Sequence, residues 1–244
     1  MNKRMLSLFG AFLLVMAATA QERKVENKPY IDLRQFHFGV LVGTHLQDVE
    51  LLNAGPQLIE QEDGSYVEKL ISCDQDRWDA GFNVGVLGEL RLNTNFQLRI
   101  APAMYFGTRH ISFYNHTDEL VVQEVQNLKT AYISSAVDLI FAAPRFNNHR
   151  PYVMAGINPM INLLGKDNDY LKLKRYDVFA ELGVGCDFYL PFFKLRPELK
   201  FLYSLTNSLD TDHVNELRDT NKRAFAGCVS DARSKMIVLT FYFE

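Results

Sequence analysis

The chain has 244 residues, a formal net charge of -3, 48% hydrophobic residues and 12% aromatic residues. A near-neutral chain with no long basic block excludes nucleic acid as a partner. The length suits one domain, and after the N-terminal stretch no window approaches the ~18 consecutive apolar residues of a membrane-crossing helix.

Residues 1–20 read as a signal peptide. Lys3 and Arg4 give the positive start, Met5 to Met16 the apolar stretch, and Ala18-Thr19-Ala20 the small-x-small site for cleavage after Ala20. Residues 21–34 are polar and aperiodic and read as a short periplasmic leader.

From residue 35 onward every second residue is apolar in eight stretches, the signature of half-buried strands. They lie near 35–48, 79–92, 95–112, 126–143, 150–163, 175–190, 193–206 and 233–244. In the second, Phe82, Val84, Val86 and Leu90 oppose Gly81, Asn83, Gly85 and Glu89. In the seventh, Leu195, Leu199, Phe201 and Tyr203 oppose Lys194, Arg196, Glu198 and Lys200. Connections 49–78, 113–125, 164–174 and 207–232 are long, while Asn93-Thr94, Pro144–His149 and Pro191-Phe192 are short. That alternation predicts an all-β, eight-stranded antiparallel up-and-down transmembrane barrel over 35–244, with short periplasmic turns and long surface loops.

A soluble barrel of the same strand number has the opposite polarity, so the orientation matters. Three features place the apolar face outward. Glu89, Asp138, Glu181, Asp187 and Glu198 share the polar face with Arg91, Arg99, Lys194, Arg196 and Lys200, a balanced set that predicts a lumen charge network. Gly39, Gly43, Gly81, Gly85, Gly183 and Gly185 lie on that face too, making room in a narrow lumen. Aromatic residues gather near strand ends, as in interfacial girdles. Outer-membrane lipid is then the first partner, and the side-chain-filled lumen is not a pore. Pro102, Pro151, Pro159 and Pro197 fall inside predicted strands. Proline cannot donate to the ladder, so each is expected at a bulge or outside the hydrocarbon band.

The chemistry-bearing residues are sparse. Cys73 and Cys228 fall in long loops and Cys186 in a strand; in an exported chain a Cys73–Cys228 disulfide and three unpaired thiols both stay open. His37, His45 and His116 are the candidate bases for a hydrolase, but no nucleophile motif accompanies them, so no catalytic residue is assigned. The pairs Asp74/Asp76, Asp167/Asp169 and Asp210/Asp212 lack a calcium-loop pattern and read as solvated loops; no metal or other cofactor is expected. Lys166, Lys172, Lys174 and Arg175 flank the third long loop and could meet lipopolysaccharide phosphates. Loop 49–78 carries Leu51, Leu52, Leu58, Ile59, Tyr66, Leu70, Ile71 and Trp78, which read equally as a docking surface or as packing over the barrel mouth.

Residues 179–209 contain Leu-Gly-x-Gly at 182–185, Pro-Glu-Leu-Lys-Phe at 197–201 and Leu-Thr-Asn at 205–207. This stretch resembles the second-last hairpin of an outer-membrane β-barrel family of gliding and periodontal-type bacteria. The whole layout, to the terminal Phe-Tyr-Phe-Glu, is similar to the PorT family of the type IX secretion system. The resemblance implies a non-enzymatic outer-membrane component needed for export and maturation of gingipain-type cell-surface proteases, with other secretion-system proteins as partners. The alternative is a surface adhesin or evasion barrel acting through its loops. Glu244 follows the terminal aromatic Phe243, a departure from the usual insertion signal.

Overall fold

The computed structural model describes residues 25–60, 65–116, 124–164, 170–217 and 220–244. The predicted signal peptide lies outside them.

Eight strands close a ring. They are β1 (Phe36–Asn53), β5 (Asp79–Arg91), β6 (Phe96–Asn115), β7 (Glu124–Ala142), β8 (His149–Asn162), β9 (Tyr176–Tyr189), β10 (Lys194–Ser204) and β11 (Val229–Phe243). Each pairs antiparallel with its chain neighbour in the ring, and β11 returns to β1. The eight match the eight alternating stretches of the sequence.

The long connections are more than loops. β1, β6, β7 and β11 run past their expected ends because they keep finding partners beyond the ring. β4 (Ile71–Asp74) pairs with the far end of β6, from Ile71↔Asn115 to Asp74↔Ser112. β2 (Gln57–Glu60) and β3 (Tyr66–Lys69) form a separate hairpin. The fourth connection holds two short helices, α1 (His213–Glu216) and α2 (Thr220–Ala226). Period-2 reading missed these pieces because the strands and the first helix are four residues long and the second helix only seven.

The short turns are locked locally. The Asn93 carboxamide oxygen accepts from the backbone N–H of Asn95 (2.8 Å) and Phe96 (2.7 Å), which closes the β5–β6 turn. Asn147 adopts φ 50°, a left-handed value that asparagine tolerates, in the β7–β8 turn.

The apolar face is outward. Phe82, Val84 and Val86 on β5, and Leu182 and Val184 on β9, are exposed, while their alternating neighbours Asn83, Leu87, Glu89, Glu181 and Asp187 are buried. Cross-strand ring pairs zip this outer face, with Phe82 on Phe106 and Phe96 near Phe141, both at 5.1 Å between centroids. Trp78, Tyr176 and Tyr203 mark the long-loop side of the apolar belt; Phe36, Phe96, Phe141 and Phe193 mark the short-turn side. Phe38 to Leu46 on β1 climbs roughly 20 Å at about 3.3 Å per residue and about 40° tilt, close to the ~25 Å band of such barrels.

Three of the four prolines overturn the expectation of bulges. Across Pro102 the β5–β6 pairing jumps from Gly85↔Ala103 to Gly88↔Ile100 without a register shift. The same two-rung gap occurs at Pro159, between Ser134↔Met160 and Val137↔Ile157, and at Pro197, between Leu195↔Phe188 and Glu198↔Gly185. Each proline forfeits pairing on one side only; Pro102↔Ser135, Pro159↔Val178 and Pro197↔Phe241 stay in register on the other. Long neighbouring ladders hold the register, so the ring absorbs a missing donor without bending. Pro151 is the third residue of β8, near the short-turn end.

If the outward face meets hydrocarbon, Val84→Arg at mid-belt should cost about 2–4 kcal/mol of stability in lipid. Chemical unfolding in vesicles measures this; an unchanged midpoint would refute the orientation.

Candidate functional site

The lumen is stratified, and each layer follows from which residues each strand turns inward. Nearest the short turns lies a charge ladder. Arg196 is at its centre, donating from Nε to Asp187 and from Nη1 and Nη2 to both oxygens of Glu89, with Glu244 at 3.3 Å. Arg99 donates to Glu198 at 2.7 Å, lies 3.4 Å from Glu89, and has Asp138 at 4.0 Å. Glu198 also accepts from the Tyr152 hydroxyl (2.7 Å) and the Tyr242 hydroxyl (2.9 Å). Lys200 faces Glu181 at 3.3 Å, and Asn158 donates to the same carboxylate at 3.1 Å. Lys194 contacts Asp187 at 3.4 Å and Glu244 at 3.1 Å. Arg99 and Arg196 also lie over aromatic rings, Arg99 4.5 Å from the Tyr242 centroid and Arg196 5.3 Å from that of Tyr152. Arg99, Asp138, Asp187, Lys194, Arg196 and Glu198 have no accessible surface.

Of the ten residues singled out from the sequence, the structure brings nine into this ladder. Arg91 stays apart: half-exposed at the rim, it turns its Nε to the Asn93 carbonyl at 3.2 Å. The charge set read from the sequence left out Tyr152, Asn158, Tyr242 and Glu244, and His37 stood there only as a candidate base. Tyr242 carried a signal, since it alternates with outward Phe241 and Phe243. Tyr152 and Asn158 were hidden in the proline-broken pattern of β8. Glu244 reaches back from the end of β11, exchanging backbone hydrogen bonds with Lys194 and lying 3.6 Å from His37.

Glycine makes the ladder possible at one position above all. A Cβ on Gly185 would strike the ring and hydroxyl of Tyr152, the side chain that reaches across to Glu198.

Above the ladder the lumen is apolar, a layer not expected from a face of glycines and charges. Leu41, Leu87, Met160, Phe179, Leu202, Met236 and Val238 pack there with Tyr105 and Tyr132. Next comes a polar ring: Arg109 donates to Gln47 (3.2 Å) and Ser234 (2.9 Å), and Thr130 donates to Gln47 (3.3 Å). His45 leans on Tyr105 at 5.4 Å.

Both mouths are covered. At the long-loop end Val49, Ile71, Cys73, Ile111, Phe113, Leu128, Leu171, Leu173, Leu209, Cys228, Val229 and Ala232 form an apolar cap, with Tyr170 and Phe225 edge-on to Phe113. Asp177 anchors the cap's base by accepting from the hydroxyls of Ser204 (2.6 Å), Thr206 (2.6 Å) and Ser208. The apolar residues of connection 49–78 divide: Ile71 is inside the cap with Leu51 against it, while Leu52, Tyr66, Leu70 and Trp78 stay exposed. At the other mouth, residues 25–34 of the expected leader form a strap. Asn27 bonds to Asn148 and Tyr189, Asp32 accepts from the Tyr189 hydroxyl at 2.7 Å, and Arg145 holds the Asn27 and Lys28 carbonyls while stacking on Tyr189 at 3.6 Å.

The other candidates fall outside the lumen or apart from one another. His37 and His45 lie in separate layers. His116 lies outside the cap, 2.8 Å from the Ser72 hydroxyl, and its sequence neighbours Thr117 and Asp118 are outside the described residues. Asp76 accepts from the hydroxyls of Ser112 and Tyr114, both at 2.7 Å, and Asp74 from the Gln75 N–H at 2.8 Å. Asp167, Asp169 and Lys166 are outside the described residues; Lys174 and Arg175 are exposed beside Tyr176 at the edge of the belt. Among the described residues no helix is long and apolar enough to cross a membrane. Crossing falls to the strands.

The sequence pattern of the outer membrane protein β-barrel domain family matches residues 19–210, more than half of the chain. The chain belongs to that family. Its place is the outer membrane. No curated protein matches the chain. Solved structures similar to it include Neisserial surface protein A, at 12% identity, covering 86% of this chain and 98% of that one with a TM-score of 0.43. The outer membrane protein OprG from Pseudomonas aeruginosa is similar at 11% identity, 86% and 93% coverage and a TM-score of 0.43. The attachment invasion locus protein Ail of Yersinia pestis is similar at 12% identity, 86% and 99% coverage and a TM-score of 0.37.

Two outcomes check this family member's lumen. Glu198→Leu leaves Arg99 buried without its nearest partner, which should cost about 3–5 kcal/mol; heat-modifiable gel mobility should show unfolding at a clearly lower temperature than wild type. Arg145→Ala should release the strap, so that protease trims the N-terminal residues of the detergent-solubilised protein faster while the folded barrel band persists.

Proposed function

We propose that this chain is a non-enzymatic component of a protein-secretion system of the type IX kind, PorT-like, needed for export and maturation of cell-surface proteases. The observation that carries this reading is the sealed barrel. A lumen filled by the charge ladder and covered at both mouths gives cargo no route, so a role in export has to be exercised by contact. The surfaces available for contact are the lipid-facing wall, the periplasmic strap and the external face with its β2–β3 hairpin. The motifs at 182–185, 197–201 and 205–207 resemble the barrel family, and it is the layout of the whole chain that resembles the PorT group. We take the N-terminal 20 residues to be the cleaved export signal, and other secretion-system proteins to be the partners.

The second reading, a surface adhesin or evasion barrel, draws on Leu52, Tyr66 and Leu70, which stand exposed around that hairpin. Outer-leaflet lipopolysaccharide is a proposed partner in either reading, through Lys174 and Arg175 beside the interfacial ring of Tyr176.

A chromosomal deletion separates the two. Under the secretion reading the strain accumulates unprocessed surface proteases in the periplasm, and the full-length gene restores export. Export at the wild-type rate, with host-cell attachment lost, would select the adhesin.

A further inference from the structure

Cys73 and Cys228 lie 155 positions apart in sequence and meet in the same buried corner of the outer cap. Asn53, the last residue of β1, brings them there. Its carboxamide oxygen accepts from the Cys73 N–H at 2.9 Å and its amide donates to the Cys73 carbonyl at 3.3 Å. On the other side Asn53 pairs with Val229, and Ala54 N–H donates to the Cys228 carbonyl at 2.8 Å. Both side chains pack into the one apolar cluster, beside the strand ends that Asn53 holds together. Both have about 1% accessible surface or less. In the structure both are thiols.

We propose that Cys73 and Cys228 form a disulfide in the exported protein, stapling β4 of the first external connection to the start of β11 after the last. The cap lies on the oxidising side of the envelope, where paired thiols are converted to disulfides. The reaction is thiol–disulfide exchange with a disulfide donor of the envelope. One thiolate attacks a donor sulfur to give a mixed disulfide. The second thiolate then displaces the donor's remaining sulfur, so two electrons and both protons leave with the donor as a dithiol.

The order of events follows from burial. The hydrogen bond from Cys228 and the loss of water push the Cys73 thiol up, which suppresses the attacking thiolate once the cap is closed. The bridge therefore forms while the cap is still open during assembly, and afterwards resists reductant until the cap is unfolded. Cys186 has no part in this. It sits on β9 with its sulfur near the Asp187 carbonyl, and it serves as an internal control.

The test counts thiols in full-length protein taken from outer membranes, alkylated in denaturant and read by intact mass. A bridged protein takes one adduct, on Cys186, before reduction and three after it. The peptides holding Cys73 and Cys228 should run linked until reduced. In Cys73→Ser the unreduced protein should take two adducts, which assigns the pair. Three adducts on unreduced wild-type protein, or a linkage between two copies of the chain, would overturn the proposal.

Discussion

The governing constraint is the width of an eight-strand ring. Its interior admits side chains and little else, so whatever the strands turn inward must satisfy itself. Every strand of the ring contributes to the lower layer: His37, Glu89, Arg99, Asp138, Tyr152, Asp187, Arg196 and Tyr242 come one from each. A buried ion pair is stabilising only where geometry and extra hydrogen bonds offset lost hydration. Here the two guanidiniums share Glu89 between them and Glu198 accepts from two tyrosine hydroxyls, while Arg99 Nη2 and both Asp138 oxygens have no hydrogen-bond partner among the described residues. The network is thus a register device as much as a stabiliser. A slip of one residue in any strand would turn its charge toward lipid and bring a valine or phenylalanine inside.

The same constraint explains the outward face. With the charges consumed inside, the wall can be aliphatic between two aromatic rows, and its breadth matches a bilayer without any helix. It also explains why prolines are tolerated. In a soluble sheet an unpaired carbonyl opposite proline would call for a bulge or water. In this ring the strands are long and doubly flanked, so a gap of two rungs at Pro102, Pro159 or Pro197 leaves the register untouched.

Much of this was legible in the sequence because period-2 alternation and the long–short rhythm of connections are global signals. The charge set was legible for the same reason: Lys194, Arg196, Glu198 and Lys200 occupy one face of a regular strand. Three kinds of feature were not. Tyr152 lay in a strand whose pattern Pro151 and Pro159 disrupt. The apolar layer of Leu41, Leu87 and Leu202 cannot be told from lipid-facing residues by hydropathy alone; only parity with neighbouring charges reveals it. The cap and strap are assembled from residues far apart, such as Phe113 with Phe225 or Asp32 with Tyr189, and no local window contains such pairs.

The motif-bearing hairpin shows where sequence resemblance stops. Gly185 clears the path of Tyr152, Glu198 and Lys200 are lumen charges, Thr206 bonds to Asp177, and the Asn207 carboxamide accepts from the backbone of Leu209 and Ala232. All of these residues build the barrel and its cap. They therefore speak for the family and say little about the member. What distinguishes this chain from other sealed barrels has to reside in surfaces that these inward residues do not reach: the exposed rim around the β2–β3 hairpin, the strap across the short-turn mouth and the lipid-facing wall. Among the described residues, a closed lumen leaves those surfaces as the means by which the protein can act on another molecule.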